Sequence, residues 1–168
     1  METSTSKKTN NKSVMTKGHN TKKTKEIAEK LNILLSDYSI FYQNVRGYHW
    51  NIKGEKFFEL HTRFENIYTD LQNKIDEIAE RILALGHSPE HNFSYYKKNS
   101  VIAESNTVTN GIKAMEDILK SMELLVSTER DIHKLCNECH DEGTACMMSD
   151  YILEQEKTVW MYSAYLNK

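Results

Sequence analysis

From Ile27 to Ile52 the apolar residues recur at alternating spacings of four and three: Ile27, Leu31, Leu34, Tyr38, Phe41, Val45, Tyr48 and Ile52. Only an α-helix gathers such a series onto one face. Gly54 ends it, and a second series opens almost at once: Phe57, Leu60, Phe64, Ile67, Leu71, Ile75, Ile78, Ile82 and Leu85, closed by Gly86 and Pro89. Two long helices joined by so short a turn lie antiparallel. A third stripe takes Val108, Ile112, Met115, Leu119, Met122, Leu125, Ile132 and Cys136. The run Asp141-Glu142-Gly143-Thr144 breaks it, and Thr144 is the expected N-cap of a fourth helix using Met148, Tyr151, Gln155, Val159, Tyr162 and Leu166. Residues 87–106 are polar and less periodic, with Phe93, Tyr95 and Tyr96 predicting a short packed turn or helix. That link, of about 20 residues, is long enough to cross the length of a bundle. No segment alternates with a period of two, and 6 Gly and 1 Pro are too few for a turn-rich β-fold. The expected class is all-α: a four-helix bundle with one long crossover.

Charge divides the chain in two. Residues 1–25 hold Lys7, Lys8, Lys12, Lys17, Lys22, Lys23 and Lys25 against the single acid Glu2, a charge of +6. The whole chain is at -2, so residues 26–168 are at -8. Thr, Ser, Asn and Lys dominate the basic segment, which has almost nothing to bury. It is expected to be a disordered tail, with a single domain over 26–168. A cationic arm on an acidic body suits a polyanion outside and cations drawn to the body. No stretch reaches the roughly 18 uninterrupted apolar residues of a membrane span. No secretory signal is visible and the 3 Cys are an odd number, so a reducing, cytoplasmic setting is expected.

Beside its apolar stripe, the second helix carries His61, Glu65, Tyr68, Gln72, Asp76 and Glu80. His61/Glu65 and Asp76/Glu80 are i,i+4 pairs, so the members of each pair point the same way. Imidazole with carboxylate is a ligand set for Fe, Mn or Zn. From His61 to Asp76 is about 22 Å along the axis with only some 60° of rotation, so one ion cannot bridge the two pairs within a chain. Two copies of the helix packed antiparallel about a two-fold near Asp70 and Leu71 would set His61/Glu65 of one against Asp76/Glu80 of the other. His49, five residues before Gly54, falls at nearly the level of His61, seven after it, and is a third candidate ligand. None of the seven His has Glu three residues before it, so a Glu-x-x-His site inside one bundle is poorly supported. An ordinary solvated acidic face remains the competing reading of these residues.

The segments Asn44-Val45-Arg46-Gly47-Tyr48-His49-Trp50-Asn51-Ile52-Lys53-Gly54, Phe57-Phe58-Glu59-Leu60-His61 and Ile75-Asp76-Glu77-Ile78-Ala79-Glu80-Arg81 strongly resemble the Dps family, the mini-ferritins. The resemblance runs from about residue 26 to the end, through Asp141-Glu142-Gly143-Thr144 and Glu156-Lys157-Thr158-Val159-Trp160. It implies a ferritin-like bundle, a hollow dodecamer, and a ferroxidase centre at each two-fold interface. His49, His61 and Glu65 would come from one subunit and Asp76 and Glu80 from its partner. The family often has Asp where this chain has Glu65, which leaves that residue's role open. Trp50 resembles the family's tryptophan beside the centre, although interface packing explains it as well. The implied activity is oxidation of Fe2+, preferentially by hydrogen peroxide, with ferric iron stored in the shell and DNA protected. Asymmetric ligation should leave one tight and one weak metal position.

Several further features accompany this reading. Asp141, Glu142, Asp150 and Glu154 are candidates for an acidic pore through which iron enters, or simply acids favoured near a helix N-terminus. The tail lysines are candidates for sequence-independent DNA binding, with association to the nucleoid. Cys136-Asn137-Glu138-Cys139-His140 matches C-x-x-C-H. Haem attachment normally requires export, so no haem is expected and simple packing is the favoured reading. A soft-metal site is the competing one. A non-catalytic DNA-compacting shell and a zinc-binding helical bundle are the alternative functions.

Overall fold

The computed structural model describes residues 21–168, which form five helices. These are α1 (Thr21–Asn51), α2 (Phe57–Ala84), the short α3 (Phe93–Asn99), α4 (Gly111–Cys139) and α5 (Glu142–Tyr165). Every member of the first predicted stripe is buried, from Ile27 to Ile52, and so are Leu60, Phe64, Ile67, Leu71, Ile78, Ile82 and Leu85 of the second. α1 packs along both α2 and α4, and α4 along α5.

Two contacts fix the topology. Lys53 N–H donates to Thr109 O (3.0 Å), joining the end of α1 to the approach to α4, while Lys23 Nζ donates to Glu138 O (3.3 Å) at the opposite end. α1 and α4 are therefore antiparallel, and the link from α2 to α4 crosses the full length of the bundle. Its backbone is satisfied by polar side chains of α1. Asn32 Oδ1 accepts from Glu90 N–H (2.7 Å), Asp37 Oδ1 from Val101 N–H (2.7 Å), and Asn44 Oδ1 from Ser105 N–H (2.9 Å). None of these three anchors was expected from the sequence pattern.

Several boundaries differ from expectation. α1 begins at Thr21, so the helix takes in Lys22, Lys23 and Lys25, which the sequence reading put in the tail. Thr24 is buried there and Lys23 caps a carbonyl of α4, which holds a turn that has no apolar stripe of its own. Lys7, Lys8, Lys12 and Lys17 lie outside the described residues. α4 starts at Gly111 rather than near Val108, because Asn110 accepts the N–H of Lys113 as N-cap (2.9 Å), and Ile112 in the first turn is half exposed. The N-cap of α5 is Asp141, not Thr144: its Oδ1 accepts from Thr144 N–H (3.1 Å) and its Oδ2 from Thr144 Oγ1 (2.6 Å). His140, with φ of 58°, is the left-handed residue ending α4.

α2 and α5 meet through long polar side chains rather than by close packing. Arg63 reaches Tyr162 Oη (2.8 Å), Lys74 reaches Glu154 (2.9 Å), and Tyr151 Oη donates to Glu77. A cleft of about 160 Å³ opens between them.

Candidate metal centre

His49 sits in the last turn of α1 and His61 in the second turn of α2, brought together by the reversal at Gly54, whose φ of 108° suits only glycine. Their rings stack with centroids 3.7 Å apart and planes at 21°. Each imidazole bonds the other's main chain: His49 Nδ1 to His61 O at 2.8 Å, and His61 Nδ1 to His49 O at 2.9 Å. A carbonyl can only accept, so both rings carry a proton on Nδ1. In the neutral state each therefore has its lone pair on Nε2, the tautomer a metal ligand needs. The bond from His61 also satisfies a carbonyl in the last turn of α1, where no intrahelical donor remains. Phe57 lies 5.0 Å from His61, nearly parallel, and Tyr68 meets His49 edge-on at 5.3 Å. The pair is thus clamped by aromatic walls.

Glu65 follows one turn after His61 and is exposed, as are Asp76 and Glu80 further along. α2 is continuous from Phe57 to Ala84, so the separation of about 22 Å between His61 and Asp76 holds. Among the described residues, no three His, Cys, Asp or Glu side chains of one chain meet to hold a metal ion. The structure joins His49 to His61 and leaves Asp76 and Glu80 apart from them.

The outward face of α2 has a symmetry of its own. Phe58 (83% exposed) and Leu83 (57% exposed) stand at its ends, beyond the candidate ligands. The pairs Phe58/Leu83, His61/Glu80 and Glu65/Asp76 are all centred on the same point, midway between Asp70 and Leu71. An antiparallel copy with its two-fold axis there would oppose apolar to apolar and imidazole to carboxylate.

The remaining candidates separate. Asp141 is 2% exposed and held by Arg81, whose Nη2 donates to its Oδ1 (2.6 Å). Burial alone would raise its carboxyl, but the Thr144 hydroxyl and N–H together with Arg81 hold it below the usual value of 3.8. Asp141 is thus a buried cap and not a pore-lining acid, a correction to the sequence reading. Glu154 is ion-paired with Lys74, whereas Glu142 and Asp150 are exposed. Trp50 is exposed beside His49, with the Arg46 guanidinium 4.7 Å from its ring centroid. Cys136 is packed in the core, where burial pushes its thiol up to about 12, while Cys139 is half-buried and His140 is the exposed end of α4. Lys23 and Lys25 lie on the surface of α1, Lys25 beside Glu29.

One polar group was not picked out from the sequence. Glu129 is buried inside the bundle, hydrogen-bonded to Tyr38 and Gln155. Its sequence signal is a gap: the third stripe skips from Leu125 to Ile132, and the missing helical position between them is Glu129.

The chain matches the ferritin-like domain family over residues 28–168. An uncharacterized Haemophilus influenzae protein is 51% identical over 139 residues, 83% of this chain and 87% of that relative. A Porphyromonas gingivalis DNA protection during starvation protein is 38% identical over 142 residues, 84% of this chain and 89% of its own length. Among solved structures, a Dps protein of Vibrio cholerae O1 superposes with a TM-score of 0.89 at 50% identity, covering 90% of this chain and 95% of its own; it is described as a member of a broad superfamily of ferritin-like diiron-carboxylate proteins. Family match, relatives and superposition agree with the motifs around His49, His61 and Asp76, and this chain belongs to the Dps family.

Proposed function

We propose that this protein oxidises Fe2+ at centres shared between two subunits, stores the ferric product in a hollow dodecameric shell, and thereby protects DNA. The observation that carries this reading is the reciprocal bonding of His49 and His61. It fixes two adjacent imidazoles in the one tautomer that presents Nε2 to a metal. The register of α2 supports the rest: the partner subunit's α2, run antiparallel, would bring the equivalents of Asp76 and Glu80 to this pair and to Glu65. Two imidazoles on one side and carboxylates on the other make unequal positions, one tight and one weak for Fe2+.

Iron is the substrate here, and hydrogen peroxide is the preferred oxidant. Peroxide takes one electron from each of two Fe2+ ions, its O–O bond breaks, and two protons complete two water molecules. The two electrons leave as a pair, so no hydroxyl radical is released. His49 and His61 face the ions through Nε2, their Nδ1 hydrogens held by carbonyls. Glu65, Asp76 and Glu80 offset the charge of the ions. Trp50, beside His49, would stand at the edge of the centre. Exposed Glu142 and Asp150 are proposed to draw Fe2+ toward the shell, and the lysines that precede α1, Lys7, Lys8, Lys12 and Lys17, to bind DNA without reading its sequence.

The test mixes two inactive variants. His61→Ala and Asp76→Ala should each abolish peroxide-driven oxidation of anaerobically added Fe2+, at a wild-type ratio of two Fe2+ per peroxide. Assemblies reconstituted from both should regain a fraction of the activity, because some interfaces then unite an intact histidine pair with intact acids. A complete absence of recovery in correctly assembled mixtures rules out a shared centre.

A further inference from the structure

A polar layer crosses the middle of the bundle, and its charges do not balance in the ordinary way. Glu129 of α4 is 0% exposed. Its Oε1 accepts from Tyr38 Oη of α1 (2.6 Å) and from Gln155 Nε2 of α5 (2.7 Å). Gln155 Nε2 also donates to Tyr38 Oη (2.6 Å), so both of its hydrogens and the tyrosine's single hydrogen are spent. Two buried acceptors are left without a donor: Glu129 Oε2 and Gln155 Oε1.

Among the described residues, no cation donates a hydrogen bond to the carboxylate. Lys74 of α2, itself buried, is the positive group of this layer. Its ammonium has three hydrogens, and Asp70 Oδ1 (2.7 Å), Asp70 Oδ2 (2.7 Å) and Glu154 Oε2 (2.9 Å) take all three. The other groups that face the layer are Glu77 of α2, which accepts from Tyr151 Oη of α5, and Tyr38 with Tyr151, whose ring centroids are 6.1 Å apart. Tyr38 is a neutral donor, its hydroxyl pushed well above the usual 10.0 by burial and by Glu129. An ionised Glu129 would be a buried charge with no hydrogen-bonded counter-ion, sharing the attraction of Lys74 with Asp70 and Glu154 and lying beside an orphaned amide oxygen.

We infer that Glu129 is a neutral carboxylic acid in the folded bundle, with its proton on Oε2 donated to Gln155 Oε1, and that it acts as a proton-holding site that loosens the bundle core when it ionises. One hydrogen then satisfies both orphaned acceptors. The amide and the acid pair through N–H···O and O–H···O together, and the layer needs no further cation. Burial is the main cause that pushes this carboxyl up to about 7, against hydrogen bonds from Tyr38 and Gln155 and the attraction of Lys74 that lower it. The folded chain therefore binds this proton more tightly than the unfolded one. The stabilisation is complete below the unfolded value of 4.5 and is lost as pH rises through about 7. This is independent of the metal centre, since none of the groups involved belongs to it.

The experiment uses the full-length assembled protein. Infrared difference spectra of wild type against Glu129→Gln, taken across the pH range, should show a carboxylic-acid C=O stretch in the wild type that disappears with a midpoint near 7. Thermal unfolding of the two proteins supplies a second readout. Gln mimics the protonated acid and its amide can donate to Gln155, so Glu129→Gln should fold. The wild-type Tm relative to the variant should fall steadily from pH 4.5 to about 7. A carboxylate signature one pH unit below the expected midpoint overturns the inference, and so does a difference in Tm that does not depend on pH. Should Glu129→Gln fail to fold, the infrared titration of wild type labelled with 13C at Glu decides alone.

Discussion

Arg81, the residue after Glu80 on α2, reaches across to Asp141 at the start of α5 and seals a carboxylate that is almost wholly buried. Its Nε also donates to Thr144 Oγ1 (2.8 Å). A Cβ on Gly143 would meet the guanidinium at 3.0 Å, so the corner closes on a backbone with no side chain. Asp141 serves at once as the cap of α5 and as the anion of a cross-helix pair. Asp141→Ala removes both roles and strands a partly buried Arg81. The cost should be about 3 kcal/mol, or a fall of roughly 10 °C in Tm. Asp141→Asn keeps a capping oxygen and should lose less.

The same residue sets an acid limit, with the opposite sign to Glu129. Its folded carboxyl lies below the usual 3.8, so its contribution is fully present above that value and is lost as pH falls through the lower folded value. Thermal scans of wild type and Asp141→Asn should differ at neutral pH and converge in strong acid. Parallel curves across the acid range would show that the ion pair contributes nothing.

Phe58 and Leu83 offer a test of the α2 register that leaves every candidate ligand in place. Both are exposed in the single chain, so Phe58→Lys or Leu83→Glu should change subunit stability by no more than about 0.5 kcal/mol. If α2 pairs with itself about the point between Asp70 and Leu71, either substitution sets a charge against an apolar side chain of the partner. Sedimentation should then report species smaller than the wild-type particle. The two substitutions together in one chain would oppose unlike charges across the interface, and larger particles should return. Recovery in the double variant is specific to this register.

How far this was readable beforehand depends on whether a feature is local. The stripe from Ile27 to Ile52 was legible because a helix imposes its own period, and a glycine at position 54 must turn the chain. The meeting of His49 with His61 followed from the same arithmetic, since a hairpin fixes which levels coincide. The first turn of α1 was not legible: Lys22 and Lys23 carry no apolar signal, and only Glu138 O on another helix and the burial of Thr24 reveal that they are helical. Thr144 was the cap read from composition, and Asp141 takes that place instead, held there by Arg81 arriving from α2. Lys74 with Glu154, and Glu129 with Gln155, join residues tens of positions apart through side chains alone; the stripes mark the places of Glu129 and Gln155, but no periodicity announces either pairing. The acids at 76 and 80 are a different case. Their spacing from His61 argues for a second copy of the chain, and one copy can only display the two halves.

The basic segment leads to a measurement independent of iron. Lys7, Lys8, Lys12 and Lys17 precede the described residues, while Lys23 and Lys25 already have partners on the bundle in Glu138 O and Glu29. The four lysines before α1 are therefore the ones proposed to neutralise phosphates. Each phosphate contact on duplex DNA contributes about -0.9 to the slope of log affinity against log salt, so one fully engaged segment contributes a slope of roughly -4. Many copies on one particle add avidity without adding specificity. Deleting residues 1–20 leaves the acidic body, which repels DNA. Gel-shift titrations at several salt concentrations should show steep salt dependence for the full chain, equal affinity for unrelated sequences, and no binding by the truncated one. A truncated particle that shifts DNA as well as the full chain would place the contact elsewhere on the body.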